Sequence, residues 1–151
     1  MEKIWPTILQ KHPELKLYVI GKNIDEKQNY QGENVKYLGF VDDIYQYYKQ
    51  CECFIVPLTY GGGTRLKVLE AMSFKVPIVS TRIGAEGLNV QNNVNIILED
   101  SEHGFAESVN YLIDNRDIAK KIAKQGYQLV LEQYDWRVIH NKIYNSLKEL
   151  E

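Results

Sequence analysis

A chain of 151 residues with 44% hydrophobic and 25% charged side chains fits one domain with a real core, and its formal net charge of −2 excludes nucleic-acid binding by bulk charge. No apolar run approaches the roughly 20 residues that span a bilayer, and the start MEKIWPTILQ has neither the basic cap nor the apolar middle of a signal peptide. The only cysteines, Cys51 and Cys53, stand two apart in an apolar run without further ligands, so they read as buried thiols of a cytosolic protein and no metal set is expected.

In chain order, Ile4, Trp5, Ile8 and Leu9 have helical spacing, with almost nothing before them to begin the helix. The chain is therefore expected to open inside a larger protein. Five runs rich in branched and aromatic residues follow as strands: Leu15 to Gly21, Asn34 to Phe40, Glu52 to Leu58, Val76 to Thr81 and Val94 to Glu99. Helical patterns separate the later strands, one from Asp43 to Gln50 with Asp42 or Asp43 as cap, the next from Thr64 to Phe74 with Leu66, Leu69 and Met72 at steps of three. This alternation predicts an α/β fold with a parallel sheet flanked by helices. After Glu99 only helices are expected, over Gly104 to Asp114, Asp117 to Tyr134 and Trp136 to Leu150, with Asp135 capping the last. The polar loop Lys22 to Glu33 is a surface connection.

The stretch GGGTRLKVLEAM, Gly61 to Met72, carries the chemistry. In an open parallel sheet, ligands bind beyond the carboxyl ends of the strands, and Gly61 to Thr64 form such a loop at the start of a helix. Glycines let an anion approach the backbone closely, and the unpaired N–H groups and positive dipole end favour phosphate there. Arg65 and Lys67 are unfavourable for the helix start unless an anion offsets them. The bland alternative is a glycine turn with an exposed Lys67–Glu70 pair worth a few tenths of a kcal/mol. The segment is not G-x-x-x-x-G-K-[ST], and no G-x-G-x-x-G follows the first strand, so neither ATP hydrolysis nor dinucleotide binding is indicated. Glu70 could reach sugar hydroxyls held at the helix start, or could be a solvated helix acid. His12, His103 and His140 have no partner at ligand spacing and are assigned no chemistry.

The segments LKLYVIG, VKYLGFVDDI, CFIVPLTYGGGTRLKVLEAMSFKVPIVST and IGAEGLNV, with the tail ending YDWRVIHNKIY, resemble the C-terminal, nucleotide-sugar-binding domain of GT-B glycosyltransferases of group 1, which are retaining enzymes. The resemblance runs nearly the whole chain and implies one Rossmann-like donor-binding domain over 1–151, shortened at its N-terminal edge, with the acceptor domain absent. It implies transfer of a sugar, hexosyltransferase-like and within polysaccharide biosynthesis, from a nucleoside diphosphate sugar without a metal or other cofactor. Glu70 is then expected to hold the ribose hydroxyls, Gly63, Thr64, Arg65 and Leu66 to meet the diphosphate, and Gly39, Phe40 and Val41 to border the base. Arg65 and Lys67 are expected to stabilise the leaving diphosphate. Gly62 stands eight residues before Glu70, where the family carries a sugar-contacting glutamate. Lys22 and Gly84 to Gly87 lie at strand ends on the ligand side and are read as solvated and structural. The expected partners are a nucleotide sugar and the missing acceptor domain, with no nucleic acid. Peripheral membrane association of the full-length enzyme stays open, and the fragment alone is expected to be inactive. Two rival readings remain, a non-catalytic α/β nucleotide-binding or interaction module and a sugar-nucleotide epimerase, the latter calling for further acids and histidines near the donor.

Overall fold

The computed structural model describes residues 1–22 and 30–148, apart from the side chains of Lys142, Ser146 and Leu147. Most of the Lys22 to Glu33 loop therefore lies outside the described residues. The chain opens with α1 (Ile4–Lys11), whose buried face is Ile4, Trp5 and Ile8. Then come β1 (Leu17–Ile20), β2 (Val35–Gly39), α2 (Tyr45–Gln50), β3 (Phe54–Val56), α3 (Leu66–Ser73), β4 (Ile78–Ser80) and β5 (Ile97–Leu98). The tail is α4 (Glu102–Asp114), α5 (Arg116–Leu129) and α6 (Trp136–Lys148).

All strand pairs are parallel, but they form two sheets rather than one: β1 with β2, and β3-β4-β5 with β4 in the centre. Side chains alternate across the three-stranded sheet, as a pleat requires. Val79 and Ile97 enter one core cluster with Ile4, Trp5 and Ile8 of α1 and Phe105, Val109 and Leu112 of α4. Ile78 and Val56 enter a second with Val68, Ala71 and Met72 of α3. Leu17 and Val35 of the smaller sheet and Ile55 of β3 pack against the first cluster, so both sheets rest on the same helical layer.

Local chemistry explains where elements begin. The Asp43 carboxylate accepts from the Tyr45 N–H at 2.9 Å, and Asp135 does the same for the Arg137 N–H at 2.9 Å, the capping role read for each. The arginine's side chain and backbone donors hold the Asp135 carboxyl down at about 2. Helix α4 starts two residues ahead of the expected Gly104, because Ser101 is its cap and accepts from the Gly104 N–H at 3.2 Å. Helix α3 starts at Leu66 instead of Thr64, since Arg65 has a bent, non-helical backbone (φ −81°, ψ 55°). The long helix expected to end at Tyr134 is α helical only to Leu129 and finishes in a π turn, Val130–Tyr134. That turn brings the Tyr134 hydroxyl under the Asn89 N–H at 2.8 Å and Gln133 Oε1 under the Asn89 amide at 2.9 Å.

Candidate functional site

The loops that carry the expected site residues all follow carboxyl ends of parallel strands. Gly39 ends β2 with φ +64°, a left-handed conformation that turns the chain sharply and that other residues adopt at a cost. Its carbonyl accepts from the Gly21 N–H at 2.9 Å, which ties the turn to the end of β1. Phe40 beyond it is exposed, with the Lys22 ammonium 5.0 Å from its ring centroid. Lys22, read as a solvated lysine, is thus paired with the flat face that borders this edge.

After β3 the chain runs through Gly61 to Thr64, all exposed, into α3. Arg65 decides the shape of this loop. Only 6% of its surface is exposed. Its guanidinium donates through Nη2 to the Gly61 carbonyl at 2.8 Å, through Nη1 to the Gly62 carbonyl at 2.9 Å and through Nε to the Ile83 carbonyl at 3.0 Å. The Glu86 carboxylate stands 3.8 Å from Nη2. Guanidinium is suited to this place because its planar fork can serve several carbonyls at once. It turns the carbonyls of the glycine loop inward and braces the loop against the turn after β4. The charge expected to face a ligand is therefore sunk beneath the loop, and it acts on an anion through the loop. Lys67, one residue inside α3, is exposed.

The turn after β4 is fastened from below. The Thr81 hydroxyl donates to the Leu58 carbonyl and accepts from the Gly84 N–H at 2.9 Å. Gly84 is required by space: a Cβ there would lie 2.4 Å from Ser80 Oγ and 2.8 Å from the Val56 carbonyl oxygen. The structural role read for Gly84 fits that packing.

Glu70, one turn into α3, is exposed, and its Oε2 accepts from the Tyr48 hydroxyl at 3.3 Å. Tyr48 is itself buried and stacked on Phe74 at 4.8 Å between centroids. Burial and then the Glu70 charge push its phenol well above the usual tyrosine range, so it stays a donor to the carboxylate. Tyr48 escaped the sequence reading because the helix YQYYKQ holds three tyrosines and nothing in their spacing singles out one. The structure thus links Gly61, Gly62, Arg65, Ile83 and Glu86 in one braced unit, and Tyr48 with Glu70 in another. Gly39, Phe40 and Val41 belong to the separate edge of β2. Lys67 and Glu70 also border a cavity of about 570 Å³ that extends between the two sheets. Among the described residues no group of three or more His, Cys, Asp or Glu could hold a metal ion, and no helix is long and apolar enough to cross a membrane.

A family model described as glycosyl transferases group 1 matches residues 1–115, and the chain belongs to that family. It is 27% identical over 156 residues to an uncharacterized 44.6 kDa protein in the cps region of Klebsiella pneumoniae, a match that covers 97% of this chain and 40% of that protein. A glycosyltransferase of Methanocaldococcus jannaschii, also uncharacterized, is 23% identical over 141 residues, with 89% and 39% covered. The chain spans about two fifths of the length of these curated relatives. Among solved structures it is similar to the C-terminal domain of the group 1 family protein LpcC from Francisella tularensis, with a TM-score of 0.74 at 22% identity over 89% of this chain and 80% of that one. It is also similar to HepE of Anabaena in complex with UDP and glucose, with a TM-score of 0.81 at 21% identity over 98% of this chain and 44% of that one. These likenesses establish the fold as that of a GT-B C-terminal domain.

Proposed function

We propose that this chain is the nucleotide-sugar-binding domain of a retaining glycosyltransferase, one unit over 1–151 that binds a nucleoside diphosphate sugar while the acceptor is held elsewhere in a longer protein. The observation that carries this reading is the braced glycine loop. Arg65 draws the Gly61 and Gly62 carbonyls beneath the loop, which leaves the backbone of Gly63, Thr64 and Leu66 at the positive end of α3 for the diphosphate. A helix start carries roughly half a positive charge, and donors fixed in advance stabilise a leaving group whose charge grows as the glycosidic bond breaks. Lys67 adds a mobile cation in the first turn of α3, and Arg65 serves through the loop it holds.

Glu70 then takes the ribose. One oxygen is oriented by Tyr48, and a carboxylate has capacity for two sugar hydroxyls besides. Gly39, Phe40 and Val41 border the base, with Phe40 as an exposed apolar face beside it. Gly62 leaves the sugar without the glutamate other family members bring to that position. UDP is the first nucleotide to test, because HepE was solved with it. The cps-region relative supports a role in polysaccharide assembly. The missing acceptor domain is the partner expected at α6, where Trp136 is 82% exposed and Ile143 and Tyr144 are also exposed. The same apolar helix is what a non-catalytic interaction module would use.

Calorimetric titration with UDP, GDP and ADP tests the reading. One nucleotide is expected to bind, and Glu70→Ala to weaken it about tenfold or more, since hydrogen bonds to a charged group contribute roughly 1.5–3 kcal/mol. Binding of none of the three would favour the interaction module, and unchanged binding by the variant would remove the ribose role.

A further inference from the structure

The two sheets face each other across a space that no strand fills. The cavity of about 570 Å³ is floored by Ile8 of α1 and Val109 of α4, roofed by Tyr47 and Tyr48 of α2, and flanked by Tyr18 of β1 and Ile55 of β3. Helix α2 straddles it: Tyr47 meets Tyr18 at 6.0 Å between ring centroids, and Tyr48 meets Phe54 at 6.0 Å. The helical layers above and below are thus continuous while the strand layer between them is interrupted.

The backbone on both flanks is prepared for pairing. The Leu17 N–H donates to the Asn34 carbonyl at 3.0 Å and the Phe54 N–H to the Pro77 carbonyl at 2.9 Å, so each of these residues faces its own sheet. Successive residues of a strand point their N–H and C=O groups to opposite sides. Tyr18 and Ile55 therefore turn theirs toward the cavity. A four-residue strand, as long as β1, at about 3.3 Å per residue, about 4.8 Å wide and in a layer about 10 Å thick, fills roughly 600 Å³, which matches the space.

We propose that this slot receives an apolar β-strand of about four residues running parallel to β1 and β3, which joins the two sheets into one of order β2-β1-strand-β3-β4-β5. Its source is a segment joined ahead of α1. Parallel neighbours are connected through a helix packed on the sheet in a right-handed crossover, and α1 is such a helix, packed on this floor and leading into β1. The relatives' greater length gives such a segment a place to come from. The strand would be apolar throughout, because both its faces meet helices. The inference stands apart from the nucleotide reading, and its test needs no nucleotide.

The test compares the 151-residue chain with the same chain extended at Met1 by Val-Val-Ile-Val and a short Gly-Ser connection, through amide exchange followed residue by residue by NMR. The exchange rates of the Tyr18 and Ile55 amides, taken relative to those of Leu17 and Phe54, are expected to fall about tenfold or more on extension, and to stay as in the unextended chain when two of the valines are replaced by aspartate. Unchanged ratios would overturn the proposal, as would equal protection by the aspartate-bearing extension. Equal protection by the free peptide at equal concentration would overturn the joined source. Protection of the unextended chain that grows with its own concentration would make a second copy the occupant, and protection by UDP alone would make the slot part of the nucleotide cleft. Val109→Phe in the unextended chain, which puts a ring into the same space, is expected to raise the urea midpoint and to abolish the protection conferred by the extension. A lowered midpoint would mean that there is no strand-wide space to fill.

Discussion

The two sheets are built from similar residues and differ in what surrounds them. In β4 all three residues are buried, with Ile78 1% exposed and Val79 fully buried. In β1 and β2 no residue is buried, although Leu17, Val19, Ile20 and Val35 are as apolar as anything in β4. Strand β4 has a neighbour on each side and a helical cluster on each face, whereas β1 has one neighbour and the open cavity beside it. Burial of a parallel strand is therefore conferred by its neighbours, and the residues supply only the capacity for it.

The sharpest way to break that comparison is to cut the same side chain from each sheet. Ile78→Ala is expected to cost about 3 kcal/mol, because it empties a packed site, and Ile20→Ala about 1 kcal/mol, as for an average substitution. Urea unfolding measures both, and equal losses would mean the sheets are equally packed. Between the sheets, burial pushes the Cys51 thiol up to about 11 from its ordinary 9.0. Alkylation at pH 8 should then run on the order of a hundredfold slower than for a free cysteine and accelerate about tenfold per pH unit until about pH 11. The unfolded thiol ionises first, so this group's contribution to stability is complete below about pH 9 and is lost as the pH rises through about 11. A rate already level at pH 9 would show the cavity wall to be wet. The smallest effect belongs to the loop above β3. Gly63→Ala, at φ +88°, is expected to cost about 1 kcal/mol. Gly62→Glu, with no atom within 4 Å of its new Cβ, should change stability by less than about 0.5 kcal/mol, so the position can be given the family's glutamate without harm to the fold. Urea midpoints of the two variants decide this, and a large loss at Gly62 would contradict the open space.

All five strands and every helix stood where the periodicity of the sequence places them, because branched runs and steps of three and four are local signals. The interruption of the sheet was not visible in that pattern, since a strand's apolar residues do not report whether a neighbour is present. The expected anion loop was legible from Gly61 to Thr64 and from the two cations behind it. What Arg65 does was not: its three carbonyl partners come from the loop itself and from Ile83, 18 residues away, and a long flexible side chain leaves no trace of its destination in spacing. Tyr48 and Glu70 meet across 22 residues for the same reason. The retarded start of α3 follows from Arg65 as well, because a residue bent to aim its side chain under the loop cannot also begin the helix.

The π turn over Val130–Tyr134 has a consequence for insertions and deletions. It holds one residue more per turn than the α helix it interrupts, and that surplus brings Gln133 and Tyr134 together onto Asn89. Loss of a single residue between 130 and 134 would let α5 run on as a regular helix and rotate everything beyond it by about 100°. Trp136, Ile143 and Tyr144 would then present a different side of the molecule. The turn works as an index mark: it sets, by one residue, the direction in which the tail's aromatic face is offered.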